Sequence, residues 1–396
     1  MADSLYFYAG WLIDGSGSPA ARRQLIETED GMVTRVRSVR DSSEIRNLAY
    51  VDLSMCTLLP GLVDSHVHLT LSGSEDVELR SNQLGYTYEQ TKPFMADRLY
   101  RYLQMGILAV RDGGDAGGFA LRCAREVRPD GNAPVTIRAA GKAWHALGRY
   151  GGFIGRAPLT GVSLGRSVWD QENGEDHIKI INSGINSVTE FGRQTRPQFT
   201  SDEMTAVVKE GRRRGLPVMV HANGVDPVRL SVEAGCSSIE HGFFMGPDNL
   251  AGLAERQIFW VPTAFTMKAL SYCLPAGSTE ADIARRTSDH QVEQIAAAMK
   301  LGVRVALGTD AGTIGVRHAS AVVEEMRILM EAGYSTEGAI RCASAEGAQL
   351  LGVQDELGQV KKGMPASFLA VKGSPEGLPA SLGAVQAVYV RGVKAF

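Results

Sequence analysis

Two histidines separated by one residue, His66 and His68, end the apolar run that opens Leu58-Leu59-Pro60-Gly61. Side chains of a strand alternate with a period of two, so both imidazoles point the same way. Neutral imidazole is the commonest protein ligand for zinc and similar ions, and a strand end fixes two rings before a metal arrives. Taken alone, the pair is equally what two solvated histidines at a sheet edge look like. Further metal-competent side chains recur at the ends of later predicted strands: Lys179, His221, His241 and Asp310.

Each of these has an ordinary structural explanation. His221 or His241 fits a hydrogen-bonded core or rim histidine, and Asp310, in Gly308-Thr309-Asp310-Ala311-Gly312, fits a turn former or helix cap. Lys179, in His177-Ile178-Lys179-Ile180-Ile181, fits a side chain reaching from an apolar strand to a rim. It is still the odd one, because an unpaired lysine is rarely fully buried. Jointly, the ordinary explanations require six polar groups to share one pocket by accident.

The elements that must position them follow from the hydrophobic rhythm. From residue 5 to about 59 the pattern is short alternating strands broken by turns such as Asp14-Gly15-Ser16-Gly17 and Glu29-Asp30-Gly31. After Gly61 a helix-then-strand alternation begins. Helices are predicted over 93–105 and 119–126, from the capping signature Thr200-Ser201-Asp202-Glu203 to Gly215, over 250–255 and 279–300, and within 321–351. Strands are predicted over 107–111, 135–139, 177–181, 216–221, 237–241, 258–262 and 303–310, and a long Gly-rich loop over 141–165. With the strand that follows Gly61 this makes eight, alternating with helices. The prediction is an α/β fold, a parallel (β/α)8 TIM barrel over residues 61–358. The strand-rich ends, 1–60 and 359–396, with C-terminal strands at 367–371 and 384–390, are each too short to fold alone. They are predicted to pair into one small β-sandwich domain. Side chains at the C-terminal ends of barrel strands face one shared pocket, which is where the six residues fall.

The 396 residues, 44% of them apolar, are ample for a core of that size. A net charge of -3 with interspersed acids and bases gives no reason to expect nucleic acid or an anionic membrane as partner. Arg212-Arg213-Arg214 reads as the solvated end of a helix. Five cysteines without CxxC spacing argue against a disulfide framework or a thiolate metal site. The N-terminus lacks a basic region followed by an apolar core, and no stretch approaches a membrane span. A soluble, cytoplasmic protein acting on a small molecule is expected, with homo-oligomerisation left open.

The sequence resembles the amidohydrolase superfamily of metal-dependent hydrolases, most closely the branch of imidazolonepropionase-like proteins and metal-dependent prolidases and carboxypeptidases. The resemblance rests on Ile13-Asp14-Gly15-Ser16-Gly17, residues 59–69 and 177–184, Val220-His221-Ala222-Asn223-Gly224, Ser238-Ile239-Glu240-His241-Gly242, Val261-Pro262-Thr263, Gly308-Thr309-Asp310-Ala311-Gly312 and residues 358–365. It implies two divalent ions, zinc being the expected metal. His66, His68 and Asp310 would hold one and His221 and His241 the other. Lys179, carboxylated by carbon dioxide to a carbamate, would join both. Two divalent ions roughly 4 Å apart repel by about 16 kcal/mol at an effective dielectric of ~20. Neutral histidines cannot cancel that, whereas a carbamate, a carboxylate and a bridging hydroxide bring three negative charges against four positive. The resemblance further implies that metals make hydroxide available at neutral pH, and that Asp310 takes its proton and passes it to the leaving nitrogen.

Substrate contacts are expected from His145, in Ala143-Trp144-His145, from Tyr150 and from His318, with Arg149 and Arg317 in loops over the mouth. His177 and His290 are left unassigned. The chain departs from many relatives at Asn223, where a second histidine is common, at Ile185-Asn186 in place of paired glycines, and at Ala366-Ser367-Phe368-Leu369 in place of Ala-Asp-Leu-Val. The expected activity is hydrolysis of an amide-type C–N bond in a dipeptide or N-acyl amino acid. Alternatives are a hydrolytic deaminase, a cyclic-amide ring opener, an ester, lactone or phosphotriester hydrolase, and a catalytically silent binding protein. Deaminase branches generally use one metal and lack the bridging lysine, so Lys179 counts against that alternative.

Overall fold

The structure is a computed structural model that describes residues 4–127, 133–170 and 174–396, so the N-terminal reading falls partly outside the described residues. The two chain ends form one seven-stranded sheet. Its order is Val393–Lys394, Val385–Val390, Phe368–Lys372, Val51–Pro60, Ser4–Leu12, Ala21–Glu29 and Met32–Ser38. The pair Ser4–Leu12 and Val51–Pro60 is parallel and the other pairs are antiparallel. In Ser4–Leu12 the buried positions run Phe7, Ala9 and then Leu12, a change of phase that coincides with a register shift between Ala9 and Trp11. Gly10 alone stands opposite Ser54, Met55 and Cys56, so the bulge lies in the partner strand Val51–Pro60. Gly10 takes that position because a Cβ there would lie 2.1 Å from the Ser54 carbonyl oxygen. The sheet coils strongly: Phe7 packs edge-on against Phe368 and Tyr389, with ring centroids 5.0 and 4.9 Å apart, although their strands are not neighbours. The sheet's own core therefore sits on its concave face, around Phe7, Leu58, Phe368 and Tyr389.

Val51–Pro60 runs through Gly61 directly into Leu62–Val67, which carries His66. Leu62–Val67, Ile107–Asp112 and Thr136–Ala139 form a parallel three-stranded sheet. A second parallel sheet has six strands in the order Phe259–Val261, Ser238–His241, Val218–Ala222, Ile178–Ile181, Ala143–Trp144 and Gly155–Arg156. Residues 303–311 touch both sheets, bridging Val305 to Trp260 and Ala311 to Val67. Ser65 N–H donates to Leu307 O at 2.9 Å and Ala306 N–H to Trp260 O at 3.0 Å. The strand expected over 303–310 is thus paired on both sides but not regular. Leu307 N–H turns away to Cys342 O, and Asp310 takes a left-handed backbone with φ of 57°.

The expected helices form, with shifted ends. The helix expected from 93 is Tyr88–Gln104, opened by a capping box between Thr87 and Gln90, which leaves Pro93 inside it. Ser201–Arg214 starts at Thr200 as expected and stops at Gly215 in the left-handed conformation. Val225–Ala234 and Phe265–Cys273 were not expected. The stretch 141–165 is less irregular than expected, since it contains the two paired dipeptide strands and leads into the short helix Leu164–Trp169. One core cluster joins helices and parallel strands. Ile178, Ile180, Val218, Val220, Ala222 and Ile239 contribute to it, so their neighbours Lys179, Met219, His221, Ser238 and Glu240 face the other way. Among the described residues no helix is long and apolar enough to cross a membrane.

Candidate metal centre

The alternation that sends Ile178 and Ile180 to the helices turns Lys179 into the interior, where its side chain is fully buried. Val63 and Ser65 lie against Gly347, the first residue of the short helix Gly347–Leu351, so His66 and His68 face away from that helix. His241 needs a further device. Glu240 already faces inward, and strict alternation would send His241 out. A left-handed backbone with φ of 69° at His241 swings its ring back. Thr263, which pairs with that ring, and Asp310 also have positive φ, 44° and 57°. Left-handed backbone at non-glycine residues costs of order 1–3 kcal/mol each and persists where surrounding structure holds it. Three of the nine non-glycine residues with positive φ among the described residues stand at these strand ends.

The six residues read from the sequence come together. His66, His241 and Asp310 offer ligand atoms that all lie within 4.8 Å of one another. Asp310 Oδ1 is 3.5 Å from His66 Nε2 and 3.4 Å from His68 Nε2. The rings of His66 and His241 are 5.0 Å apart, and those of His241 and His221 are 4.5 Å apart. Each histidine has one ring nitrogen engaged by the protein. His66 Nδ1 meets Glu240 Oε2 at 2.8 Å and His68 Nδ1 meets Gly114 O at 2.9 Å. His221 Nε2 meets Gly184 O at 3.1 Å and His241 Nδ1 meets Thr263 Oγ1 at 2.7 Å. A nitrogen that donates to an acceptor leaves the other as a lone pair, which is the form a metal ligand takes.

Burial, followed by the charge of Lys179, lowers His68 to about 4 and His221 to about 3. Burial also carries His66 and His241 well below the ordinary histidine value. All four are therefore neutral at pH 7. Burial lowers Lys179 to about 8 against the opposing pull of Glu240 and Asp310, and raises Asp310 to about 7 against the pull of Lys179.

These residues fit a bound cation on two observations. His66 Nε2 and Lys179 Nζ are buried polar atoms without a hydrogen-bond partner. Space is also kept beside them: a Cβ on Gly113 would stand 3.2 Å from both His66 Nε2 and His68 Nε2. Neutral imidazoles, a carboxylate and a deprotonatable amine form a donor set that zinc, manganese or cobalt accept.

Beneath this group lies a charged layer that sequence reasoning left unassigned. Glu240 Oε1 accepts from Arg111 Nη2 at 2.8 Å and from Ser238 Oγ, while Arg111 Nε donates to Ser65 O at 2.7 Å. Asp64 accepts from Thr309 N–H at 2.9 Å and Thr309 Oγ1 at 2.7 Å, and burial raises it to about 7. His177 is buried at the start of its strand, with Arg111, Lys179 and Glu240 close enough to act on its charge. The signal was available: Asp64, Arg111 and Glu240 are charged residues inside apolar strands, the feature that singled out Lys179.

The three residues read as substrate contacts have different fates. Tyr150 stacks beside His221 with centroids 5.5 Å apart, and burial together with the charge of Asp310 pushes its hydroxyl up. His145 is buried under the same loop, with Nδ1 on Ala146 O at 2.9 Å and Nε2 turned toward Gly152. Gln198 ties this loop down, accepting from Ala146 N–H and donating to Tyr150 O and Ser183 O, each at 2.9 Å. In His318, by contrast, both nitrogens are engaged: Nε2 donates to Leu71 O at 2.7 Å and Nδ1 lies 3.1 Å from Tyr102 OH. Arg149 donates to Arg196 O at 3.0 Å, and Arg317 is exposed. Asn223 is structural, its Oδ1 accepting from Phe243 N–H at 3.0 Å. Ile185 is exposed, and His290 stacks on Phe244.

Comparison with known proteins adds the following. The model of the amidohydrolase family matches residues 57–394. An ochratoxinase of Aspergillus niger is 26% identical over 408 residues, which cover 93% of this chain and 81% of the relative. Among solved structures, a Xaa-Pro dipeptidase with bound methionine is 27% identical with a TM-score of 0.83, covering 99% of both chains. A prolidase complexed with N-methylphosphonate-L-proline is 23% identical with a TM-score of 0.80, again covering 99% of both.

Proposed function

The chain belongs to the amidohydrolase family, and from that premise we propose that it is a binuclear metal-dependent hydrolase cleaving an amide-type C–N bond in a dipeptide or N-acyl amino acid. The observation that carries this reading is the common arrangement of four histidines, each with one nitrogen engaged by the protein, around Asp310 and an unpartnered Lys179. Similarity to a Xaa-Pro dipeptidase supports a peptide-type bond. In this reading the parallel strands and residues 303–311 make up a closed (β/α)8 barrel over 61–358. Residues 1–60 and 359–396 make up the small β domain.

His66, His68 and Asp310 would hold one ion and His221 and His241 the other, with Lys179, as a carbamate, contributing a further ligand; zinc is the expected metal. When bound, such ions lower the pKa of water toward neutrality and polarise a carbonyl. Asp310 Oδ1 lies between His66 and His68, where it can take a proton from the attacking water and deliver it to the leaving nitrogen. Tyr150 and His145 lie against the substrate under the loop held by Gln198. His318 has no part in binding, because its nitrogens are already engaged. Five free cysteines are in keeping with a reducing compartment, the cytoplasm.

The test is metal analysis of purified protein followed by assay against dipeptides and N-acyl amino acids. About two ions per chain with release of a free amino acid is expected. Release of ammonia without chain scission, or cleavage confined to esters and lactones, would overturn the assignment.

A further inference from the structure

We propose that Glu240 and Arg111 are positioning residues for His66, a buried ion pair under the metal centre that makes Nε2 of that ring the ligand atom and holds it in place. The proposal rests on the reading above that His66 holds an ion. Glu240 is fully buried at the inward face of Ser238–His241 and sets its two oxygens to different tasks. Oε2 meets His66 Nδ1 at 2.8 Å, and Oε1 takes Arg111 Nη2 at 2.8 Å together with Ser238 Oγ. Arg111 extends the tie, with Nε on Ser65 O at 2.7 Å and Nη1 on Ser238 Oγ at 3.0 Å. One planar fork thus links Leu62–Val67, Ile107–Asp112 and Ser238–His241 below the centre.

An ionised carboxylate only accepts, so the proton of the neutral ring must sit on Nδ1, which leaves Nε2 bare on the side of Asp310. His68, His221 and His241 rest on neutral oxygens, from two carbonyls and one hydroxyl. Of the four histidines, His66 is the one backed by a carboxylate, and a carboxylate behind the ring makes the ligand nitrogen more basic. Arg111 is needed because Glu240 alone would be an unbalanced buried charge. A buried ion pair adds little stability over an apolar pair of the same size. Orientation of the ring accounts for its presence where bulk stability does not.

Glu240→Gln separates these roles, since an amide offers one accepting oxygen where three donors, Arg111, Ser238 and His66, now share two. Apo protein would be titrated with zinc against a chromophoric chelator. In parallel, the imidazole N–H signals of histidine labelled with nitrogen-15 would be followed. The wild type is expected to show a protected Nδ1–H for His66. In Glu240→Gln that signal should shift or vanish and one zinc should bind about 10- to 100-fold more weakly, with the second little changed. Wild-type zinc affinity and an unmoved His66 signal in the folded variant would overturn the proposal. Should Glu240→Gln fail to fold, Ser238→Ala decides. It removes one contact to Oε1 and keeps the carboxylate, so a several-fold weakening of the same ion supports the tie and equal affinity overturns it. A wild type that binds no zinc would defeat the functional reading instead, while the Nδ1–H signal would still judge the ring's orientation.

Discussion

The backbone N–H of Asp310 donates to the carbonyl of His66 at 2.7 Å, and the two side chains meet again with Oδ1 3.5 Å from Nε2. One backbone bond and a left-handed turn at Asp310 therefore bring the first and last strand ends of the candidate centre into register. Asp310→Asn keeps the shape and most of the backbone contacts but loses the basic oxygen. A fall in kcat of about 10²- to 10⁴-fold with KM nearly unchanged is expected, read by steady-state kinetics on protein matched for metal content. Loss of binding alone, with kcat preserved, would count against Asp310 as the proton carrier.

Lys179 gives a pH-dependent expectation. Its amine is lowered from 10.5 to about 8, so it is mostly free above pH 8 and mostly ammonium below. Only the free amine reacts with carbon dioxide. At constant dissolved carbon dioxide, the rate of reconstituting apo protein with zinc should rise with pH through a midpoint near 8 and level off above it. A carbon-13 carbamate resonance should appear in parallel. Lys179→Ala should lose at least one ion and the activity. Full metal content and turnover in that variant would remove Lys179 from the centre.

Gly113 marks a place where a methyl group does not fit. A Cβ there would stand 2.8 Å from His68 Cε1 and 3.2 Å from both Nε2 atoms. Gly113→Ala should displace His68, weakening zinc binding at least tenfold while the protein stays folded. Chelator competition and circular dichroism together read this outcome, and unchanged affinity would mean that the strand yields instead.

His318 separates structure from recognition. With Nε2 on Leu71 O and Nδ1 beside Tyr102 OH, which itself lies 3.4 Å from Asp64 Oδ2, it braces the loop after His68. His318→Ala should cost about 1–3 kcal/mol of stability by leaving buried groups unpaired. Relative KM values across a substrate panel should stay the same. A change of substrate preference without a change in denaturation midpoint would restore a binding role.

Much of the candidate site was legible because two short-range rules pick out its residues. Period-two alternation places His66 with His68, and the rarity of charge inside an apolar strand picks out Lys179. The second rule, applied evenly, also picks out Asp64, Arg111 and Glu240. Their tasks stayed hidden because their partners lie on other strands, and a hydrogen bond between distant segments leaves no local mark. The irregular path of residues 303–311 was hidden for the same reason: the pull of Cys342 O on Leu307 N–H cannot be read from an apolar run.

By itself the sequence determined which residue types stand at the strand ends and that parallel strands alternate with helices, since periodicity and residue type are local properties. Tertiary structure alone decided that His241 turns inward through a left-handed residue, that Glu240 and Arg111 stand behind His66, and that His318 is taken up by Leu71 and Tyr102. Those outcomes depend on which donors and acceptors meet once the strands are side by side. Buried polar groups must find partners there, and the chain's order does not specify which.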